Sequence, residues 1–576
     1  MSLARETKTT PEALPLRPAE AIMTPAGLSA FKASRLSFLR CMIGRMVAER
    51  WRIAPRRFDL DAEGRGTVIY EITTPDQPLY FVVFSDNLPP EHRTDRIIEN
   101  HYDGEAFLCI GEPDDTRIEA QRGAFADFLL GRSDIGTLGW TRVNRSGRVF
   151  DRIVAALADG RQPDIEKLAS AGYLMRNNGF WGSGRHGTAV MAAFSPQEFL
   201  GLPYHADLLT LFMWRHFSVD LVEHIARCQN PEAARLDPEL KRLIGVGNAS
   251  GLGLIPYVIR HPKRINHWVT VRETAIARCK AIPVAPDGTE VADLERLIAR
   301  AIAYYASGIQ VRGGIFISSA ELVAGLEALL KPMQELREHG TIDGRASERP
   351  WTTLCEWAAR HVPQECLELL HSSLIEIHAE VAESLKDQFL AVIDGATDVE
   401  PGQRVAALRA LLQRHYGWAL ALDLDDPEAR KHFWYLSLDN LEPRHGLRGV
   451  DPGEDFETFV DVTGEIQALD RDLAGVAPDQ TVGEFLFGHP QHRTIVERVQ
   501  SVAALPYAEV RANVLSDDFE PCHLIRFLLT QYGMEKLDPQ SRLWVRGTFL
   551  QGAPTADDIA AGVDGDWIFP MTPARR

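Results

Sequence analysis

Apolar and polar positions repeat with two different periods along the first part of the chain. Residues 24–51 carry apolar side chains at helical spacing. The stretches GTVIYEITT and LYFVVFSD are rich in β-branched and aromatic residues and are joined by PDQP, which predicts a β-hairpin. AFLCIGEPDD predicts a third short strand, and helical spacing returns over residues 116–130 and in RVFDRIVAALADGR. Residues 23–160 are therefore predicted to form a small α+β domain.

Helical spacing dominates the rest of the chain. The predicted helices cover residues 205–228, 263–281, 290–307, 319–337, 363–388 and 402–416. We expect a helical domain over 161–390 and, because Gly/Pro/Asp-rich connections then increase, a mainly helical C-terminal domain with irregular loops over 391–576. Residues 1–22 are polar and proline-containing and are predicted to be a disordered lead-in. The expected class is α+β and predominantly α-helical, with a small N-terminal antiparallel or mixed sheet followed by helical bundle units.

Composition and charge narrow the classes of partner. Lys and Arg number 62 against 80 Asp and Glu, so the net charge is −18, and with no local Lys/Arg block a nucleic-acid partner is not expected. The longest apolar runs fall short of the ~18 residues that span a membrane, so no membrane partner is expected either. The seven cysteines form no CxxC pair and no secretory signal begins the chain, which predicts a cytoplasmic location with reduced thiols. A homo-oligomer is left open.

A glycine-rich stretch, FWGSGRHG at residues 180–187, is the first candidate site. It satisfies G-x-G-x-x-G, but the dinucleotide fingerprint also requires a preceding strand and a following helix, and Pro196 interrupts the helical pattern. A looser anion-binding loop, in which backbone N–H groups and side-chain donors hold a carboxylate, phosphate or sulfonate, fits the stretch better than a dinucleotide site does. The alternative is a turn whose two aromatic residues fill a core. The predicted anion-binding residues here are Arg176, Asn178, Ser183 and Arg185, and His186 is predicted to move protons.

A second glycine-rich stretch, GVGNASGLGL, follows the helical pattern DPELKRLI rather than a strand pattern. Asn248 or Ser250 is predicted to cap a following helix whose free N–H groups would help to bind the anion. The alternative, which we favour for this stretch, is a C-cap glycine followed by a close helix crossing.

The stretch FWYLSLDNLEPRHG supplies a third candidate site. Glu442, Arg444 and His445 lie within four residues, which brings together a carboxylate, a guanidinium and an imidazole. Arg444 is predicted to bind the anion, while Glu442 and His445 are predicted to exchange protons. Adjacent aromatic residues would raise the pKa of Glu442. The alternative is an exposed loop with a local ion pair.

Two further patterns carry weaker signals. Cys522 follows Pro521 in the predicted first turn of a helix, where a thiolate nucleophile would be stabilised; the alternative is a buried, inert thiol. A polar stripe on helix 205–228 and the spacing Glu368-x-x-His371 resemble metal-ligand patterns, but a di-iron bundle uses two such Glu-x-x-His repeats. A wet helix face or an interhelical network is the favoured interpretation, so no metal or other cofactor is favoured.

Together these residues predict a cytoplasmic enzyme that acts on a small anionic metabolite by acid–base chemistry. A lyase/dehydratase or hydrolase fits the set, and elimination is preferred because no nucleophile is well supported. Two alternatives stay open: a redox enzyme with a bound nucleotide or di-iron centre, and a non-catalytic helical scaffold or sensor. Convergence of segments 176–187 and 440–446 on one pocket would favour an enzyme.

Overall fold

The structure is a computed structural model, and its description covers most of the chain. The described residues are 14–89, 101–129, 132, 134, 136–182, 194–195, 198–250, 258–259, 261–285, 287–307, 317–391, 393, 399–424, 432–436, 441–445, 455–458, 462–511, 521–534, 536–541, 544–565 and 567–572.

Helices and strands are numbered separately in chain order. The helices are α1 Ala19–Ile22, α2 Pro25–Ser29, α3 Phe38–Ala48, α4 Asp115–Gln121, α5 Phe125–Leu129, α6 Phe150–Ala158, α7 Ile165–Ala171, α8 His205–Gln229, α9 Pro238–Leu243, α10 Pro262–Ala281, α11 Thr289–Ala306, α12 Ser319–His339, α13 Pro350–His361, α14 Gln364–Ile377, α15 Ala379–Phe389, α16 Val405–Leu420, α17 Val462–Leu473, α18 Val482–Gly488, α19 Arg493–Val502, α20 Pro521–Tyr532 and α21 Ala556–Ala561. The strands are β1 Arg52–Leu60, β2 Gly66–Thr73, β3 Leu79–Ser85, β4 Gly104–Ile110, β5 Thr137–Arg145, β6 Tyr173–Gly182, β7 Gly245–Ser250, β8 Thr341–Ile342, β9 Arg345–Ala346, β10 His432–Leu436, β11 Leu441–His445, β12 Asp455–Thr458, β13 Lys536–Ser541 and β14 Trp544–Phe549.

The predicted class, α+β with a predominance of helix, is confirmed. The predicted hairpin is present as β2 and β3, which pair antiparallel from Gly66↔Ser85 to Ile72↔Leu79. The third predicted strand is β4. Most of the predicted long helices are also found, although the pattern over 363–388 is divided at His378 into α14 and α15.

A nine-stranded sheet of described strands organises the molecule, in the order β1-β2-β3-β4-β5-β6-β7-β14-β13. Every neighbouring pair is antiparallel except β6 and β7, which are parallel. Strands from all three predicted domains contribute to this sheet, which is therefore larger than the small N-terminal sheet that hydrophobic patterning suggests. How the three domains divide the chain stays a prediction.

The stretch GVGNASGLGL follows a helix, α9, as its pattern indicates, but its first part is not a capping segment, because Gly245–Ser250 forms strand β7. Glycine hides the strand pattern here, and the neighbours explain why glycine is needed. A Cβ atom on Gly245 would lie 2.1 Å from the carbonyl oxygen of Phe549, and one on Gly247 would lie 2.8 Å from the ring of Tyr173. Close packing therefore requires glycine at these two positions. Because glycine has no side chain, the strand lacks the apolar pattern by which strands are predicted.

The predicted lead-in is also corrected in part. Residues 14–22 are ordered: α1 covers Ala19–Ile22, and Ile22 is buried. The hydroxyl of Tyr507 donates to the carbonyl oxygen of Arg17 at 2.6 Å, which ties this segment to the C-terminal part of the chain. A polar sequence is held here by side-chain contacts that local composition does not reveal. Residues 1–13 lie outside the described part.

Helix α8 covers one face of the sheet, called the inner face below. It packs against β4, β5, β6 and β7, and it lies between β6 and β7 in the chain, as a helix joining parallel strands must. Its apolar side chains join a continuous core that reaches from Ile22 to Phe569. A smaller apolar cluster, which includes Phe107 and Trp140, lies on the opposite face beneath α4 and α5.

Both edge strands of the sheet contain a proline. Pro55 lies in β1 and Pro539 lies in β13, and the pairing register of each strand shifts at its proline. Proline has no N–H to donate to a ladder, so natural sheets restrict it to edges and bulges.

Candidate functional site

The parallel pair β6 and β7 brings two of the predicted sites to one place. Because the strands run in the same direction, their carboxyl ends lie at the same edge of the sheet. There β6 leads into the segment GSGRHG and β7 leads into GLG. Open sheets with parallel strands bind ligands outside such carboxyl ends. We call this edge the β6–β7 site.

Two asparagines bridge the strands inside the sheet, five residues before the end of β6 and two residues before the end of β7. Asn177 is paired with Asn248 in the register, and the Nδ2 of Asn248 donates to the Oδ1 of Asn177 at 2.7 Å. Both side chains are buried. The Nδ2 of Asn177 has no hydrogen-bond partner among the described residues. Such a buried donor costs free energy unless a ligand or water accepts from it.

Arg176 is also buried, but it does not face the same way as Asn177. Consecutive residues of a strand point to opposite faces, and Asn177 shares the inner face with Val143, its cross-strand partner on β5. Arg176 therefore belongs to the opposite face, beside Gly247 in the register. Arg176 and Asn177 therefore face opposite sides of the sheet, and whether Arg176 shares a pocket with Asn178 stays a prediction.

Helix α8 runs back along β6 from its end toward its beginning. In the C-terminal half of α8, Leu221 and Ile225 lie beside Gly64, and so does the guanidinium of Arg145, which is the last residue of β5 and pairs with the start of β6. The first turn of α8 therefore lies toward the β6–β7 site. A helix that returns antiparallel to the strand before it is the usual geometry of a strand–helix–strand unit.

Asp207, in the first turn of α8, is the residue that sequence reasoning missed. It lies two turns before Trp214, whose ring packs on Phe81 at a centroid distance of 5.8 Å, so the two residues share the sheet-facing side of the helix. Asp207 is 2% exposed, and neither carboxyl oxygen has a hydrogen-bond partner among the described residues. Burial raises the pKa of Asp207 to about 7. A signal was present: Asp207 interrupts the apolar run in HADLLTLFMW.

His205, in the same turn, is a second buried ionisable group. Its Nδ1 lies 3.0 Å from the carbonyl oxygen of Pro203, and its ring packs edge-on to Phe199. Burial lowers the pKa of His205 to about 4, so the ring is neutral at physiological pH. The Nδ1–H is fixed by the carbonyl, which leaves Nε2 as an acceptor.

Several predicted site residues cannot be placed beside Asp207. Ser183, Arg185 and His186 lie outside the described residues, and for Asn178 and Ser250 only the backbone, in β6 and β7, is described. The third predicted site has its backbone in a different sheet. Glu442, Arg444 and His445 belong to β11, which pairs with β10 in a three-stranded sheet. Convergence of the two segments therefore stays a prediction.

Cys522 is on α20, as predicted from the preceding proline, and is completely buried. A nucleophilic cysteine needs a partly exposed and electropositive environment, so this burial favours the interpretation as a packing thiol.

The polar residues of the stripe on α8 make hydrogen bonds and an ion pair with neighbouring parts of the chain. The hydroxyl of Tyr70 donates to Asp220 at 2.7 Å, Lys241 pairs with Glu223 at 2.9 Å, and the Nε2 of His224 lies 2.9 Å from the carbonyl oxygen of Asp61. Within the described residues, no group of three or more His, Cys, Asp or Glu side chains is arranged to hold a metal ion.

The predicted Glu368-x-x-His371 pair lies inside a buried ion network. Arg17 contacts Glu368 at 2.5 Å and Glu273 at 2.7 Å, and Arg272 contacts Glu368 at 2.8 Å. Burial by itself would raise the pKa of Glu368, but Arg17 and Arg272 hold it well below its ordinary value. Burial and then Arg17 lower the pKa of His371 to about 3. The negative charge of Glu368 is thus balanced by two guanidinium groups, those of Arg17 and Arg272.

Similar pairs continue along α14. Lys32 and Arg526 both contact Glu365, at 2.8 and 2.9 Å, and Arg40 contacts Glu376 at 3.1 Å. We call this network the α14 cluster; its members are Arg17, Lys32, Arg35, Arg40, Arg272, Glu273, Glu365, Glu368, His371, Glu376 and Arg526.

A cavity of about 30 Å³ adjoins the cluster and is lined by Phe31, Lys32, Ser37, Trp268, Arg272 and Gln531, among others. This volume suits one or two water molecules and is too small for a metabolite.

Comparison of the chain with protein-family models, with curated proteins and with solved structures finds no match. Among the described residues, no helix combines the length and the apolar character that a membrane crossing requires. The site has to be interpreted from its own chemistry.

Proposed function

We propose that this protein is an enzyme that binds a small anionic metabolite at the β6–β7 site and acts on it by acid–base chemistry. One observation carries the proposal. The parallel pair in an otherwise antiparallel sheet joins Asn177 and Asn248 by an amide hydrogen bond inside the sheet and directs both strands toward one edge, after which both glycine-rich stretches continue in the sequence. Carboxyl ends of parallel strands are where such sheets bind their ligands.

The sequence supplies donors for the anion directly after β6. Arg185 and Ser183 follow β6 directly, and guanidinium groups bind carboxylate, phosphate and sulfonate oxygens through paired hydrogen bonds. Proton transfer belongs to an imidazole or carboxyl group beside the bound anion, for which His186, four residues after β6 in the sequence, and Asp207 are candidates. A lyase/dehydratase or hydrolase needs only these groups, and elimination is the preferred reaction.

The proposal is tested by measuring ligand binding. A thermal-shift screen of the full chain against carboxylates, phosphates, sulfonates and nucleotides identifies the ligand class, because a ligand that binds the native state raises its melting temperature. Arg185→Ala should then weaken binding of the best anion by about 1.5–3 kcal/mol, the value of a charged hydrogen bond. Arg161→Ala removes an exposed arginine that pairs with Asp159, and it should leave affinity unchanged.

The second arm of the test is Arg444→Ala. A matching loss of affinity in this variant would bring the β11 segment to the same ligand, whereas unchanged affinity would assign the ligand to the β6–β7 site alone. If no anion binds the full chain, or if Arg185→Ala binds as well as the unchanged protein does, the anion site is refuted and a scaffold or sensor is favoured. A response to nucleotides alone would favour the redox alternative.

A further inference from the structure

The cavity beside the α14 cluster has a lining that suits an anion. Lys32 and Arg272 border it, and both carry a positive charge. The other polar residues of the lining have hydroxyl or amide side chains; they are Ser34, Ser37, Thr530 and Gln531. The described lining includes no carboxyl group, and the rest of it is apolar. A low-dielectric hollow with charges of one sign concentrates ions of the opposite sign.

Two buried polar groups of this lining lack hydrogen-bond partners in the described part of the chain. The Nε of Arg272 has no acceptor, although the rest of the guanidinium contacts Glu273 at 3.2 Å and Glu368 at 2.8 Å. The hydroxyl of Ser37 has no partner either. Arg272 is 8% exposed and Ser37 is 3% exposed, so bulk water does not satisfy them. Such groups cost free energy unless a ligand or a bound water pairs with them.

Helix α3 begins at the same cavity. Ser37 is its N-cap residue, and the Ser37 side chain accepts no hydrogen bond from the first turn. The first N–H groups of this eleven-residue helix therefore have no side-chain cap, and they carry the positive end of the helix dipole. Helix N-termini of this kind bind anions. The helix end adds to the positive charges of Lys32 and Arg272.

We infer that this cavity binds one small monovalent anion of halide size, of which chloride is the abundant example. The volume of about 30 Å³ admits a halide ion, which is little larger than a water molecule, and it excludes organic acids. The ammonium of Lys32 and the Nε–H of Arg272 donate to the ion, and the apolar lining excludes water from it. The inference does not rest on the proposed function, because the cavity is separate from the β6–β7 site.

The pairing of Lys32 agrees with a bound anion. Glu365 contacts Lys32 at 2.8 Å, and the same carboxylate contacts Arg526 at 2.9 Å. Burial, and then the charge of Arg526, lower the pKa of Lys32. One carboxylate thus contacts two cations, and a halide beside Lys32 supplies a further negative charge that favours the protonated amine.

Thermal unfolding of the full chain in sodium chloride and in sodium gluconate at equal ionic strength tests the inference. Gluconate is too large for the cavity, and equal ionic strength keeps the screening of surface charges the same. We expect Tm to rise with chloride and to level off at saturation, because a ligand that binds the folded protein stabilises it. Bromide should act as chloride does. The absence of a saturable difference between chloride and gluconate would overturn the inference.

Lys32→Met removes one cation of the lining and leaves Glu365 in contact with Arg526. The Kd for chloride should rise about tenfold or more, which is the loss expected for one charged hydrogen bond. Lys241→Met is the matched control, since Lys241 pairs with the buried Glu223 at 2.9 Å and is not among the described residues that line the cavity. Its Kd should be unchanged. A Kd that stays the same in Lys32→Met would overturn the inference.

A crystal of the full chain grown in sodium bromide locates the ion without depending on the folding of a variant. An anomalous peak beside Lys32 and Arg272 would support the inference, and a cavity without such a peak would overturn it. Arg185→Ala should keep the stabilisation by chloride even if it weakens the binding of organic anions. Loss of the chloride effect in Arg185→Ala would assign chloride to the β6–β7 site and overturn this inference alone.

Discussion

Two groups of buried acids in this molecule have opposite electrostatic surroundings. In the α14 cluster, Glu368 is held by two arginines and its pKa is well below the ordinary value, against the effect of burial. In the first turn of α8, Asp207 is equally buried, none of the described residues pairs a cation with it, and its pKa rises to about 7. Burial is similar, so the partners decide the direction of the shift.

This difference in pairing indicates different roles for the two regions. The α14 cluster joins the N-terminal segment, α10, α14 and α20 through charged contacts, and the carboxylates of Glu273, Glu365 and Glu368 are paired with arginine or lysine side chains. Asp207 makes no such contact with the described residues. A buried acid that the protein leaves unpaired is therefore a better indicator of a site than a buried acid within a dense network.

The largest effect is expected from Glu368→Gln. The change removes the charge that Arg17 and Arg272 share, and breaking a buried ion pair costs about 3–5 kcal/mol of unfolding free energy. Denaturant unfolding near pH 7 measures the loss. Glu356→Gln, at an exposed position on α13, is the matched control and should change stability by less than about 0.5 kcal/mol. A loss below about 1 kcal/mol in Glu368→Gln would mean that the cluster does not stabilise the fold.

Asp207→Asn is the same type of change and should have the opposite sign. A pKa that is about three units above the ordinary value corresponds to about 4 kcal/mol at most, and this cost disappears when the group cannot ionise. The variant should therefore unfold at higher denaturant concentration than the unchanged protein at about pH 8. If Asp207→Asn were no more stable than the unchanged protein, the carboxylate of Asp207 would have to be stabilised by a cationic partner.

The pH dependence should distinguish the two regions as well. Because the pKa of Asp207 is raised in the folded state, its stabilising contribution is complete below about pH 4 and is lost as the pH rises toward about 7. The gain in Asp207→Asn should follow this curve and become constant above about pH 8. Glu368 has a lowered pKa, so the deficit of Glu368→Gln should instead shrink as the pH falls below about 4.5. Thermal unfolding across this pH range is the measurement.

A smaller effect is expected at the amide bridge. Asn248→Ala removes the hydrogen bond to Asn177 and leaves its buried Oδ1 without that donor, which should cost about 1–3 kcal/mol of unfolding free energy. Asn230→Ala is the control. Asn230 follows α8, and its side chain donates a hydrogen bond to the carbonyl oxygen of Ala158, outside the site. If Asn248→Ala also weakens anion binding and Asn230→Ala does not, the bridge belongs to the site.

The regular elements were the easiest part to predict from the sequence. Long helices such as α8 and the β2–β3 hairpin have strong apolar periodicity, because one side of each packs on the core. Strand β7 was missed because its glycines contribute no pattern. Glycine is needed there because Phe549 and Tyr173 leave no room for a side chain, and both residues come from distant parts of the chain.

The candidate site was only partly predictable for a related reason. Glycine, arginine and asparagine indicated anion binding at two separate stretches, but only the parallel pairing of β6 with β7 places those stretches at one edge. Asp207 could not be identified by residue type, since an aspartate in the first turn of a helix is ordinarily a favourable, solvated residue. Its importance comes from burial, which is a property of the folded chain.

The prolines of β1 and β13 have a consequence for how copies of this chain can meet. A free margin of a sheet is a template on which another chain can add a strand, and unprotected margins lead to aggregation. Pro55 and Pro539 lie in the two edge strands, lack an N–H to donate and coincide with shifts in the pairing register, so a further strand would pair poorly there. We therefore expect any self-association to use helical surfaces, and we expect Pro55→Thr to promote the formation of thioflavin-positive fibrils on prolonged incubation.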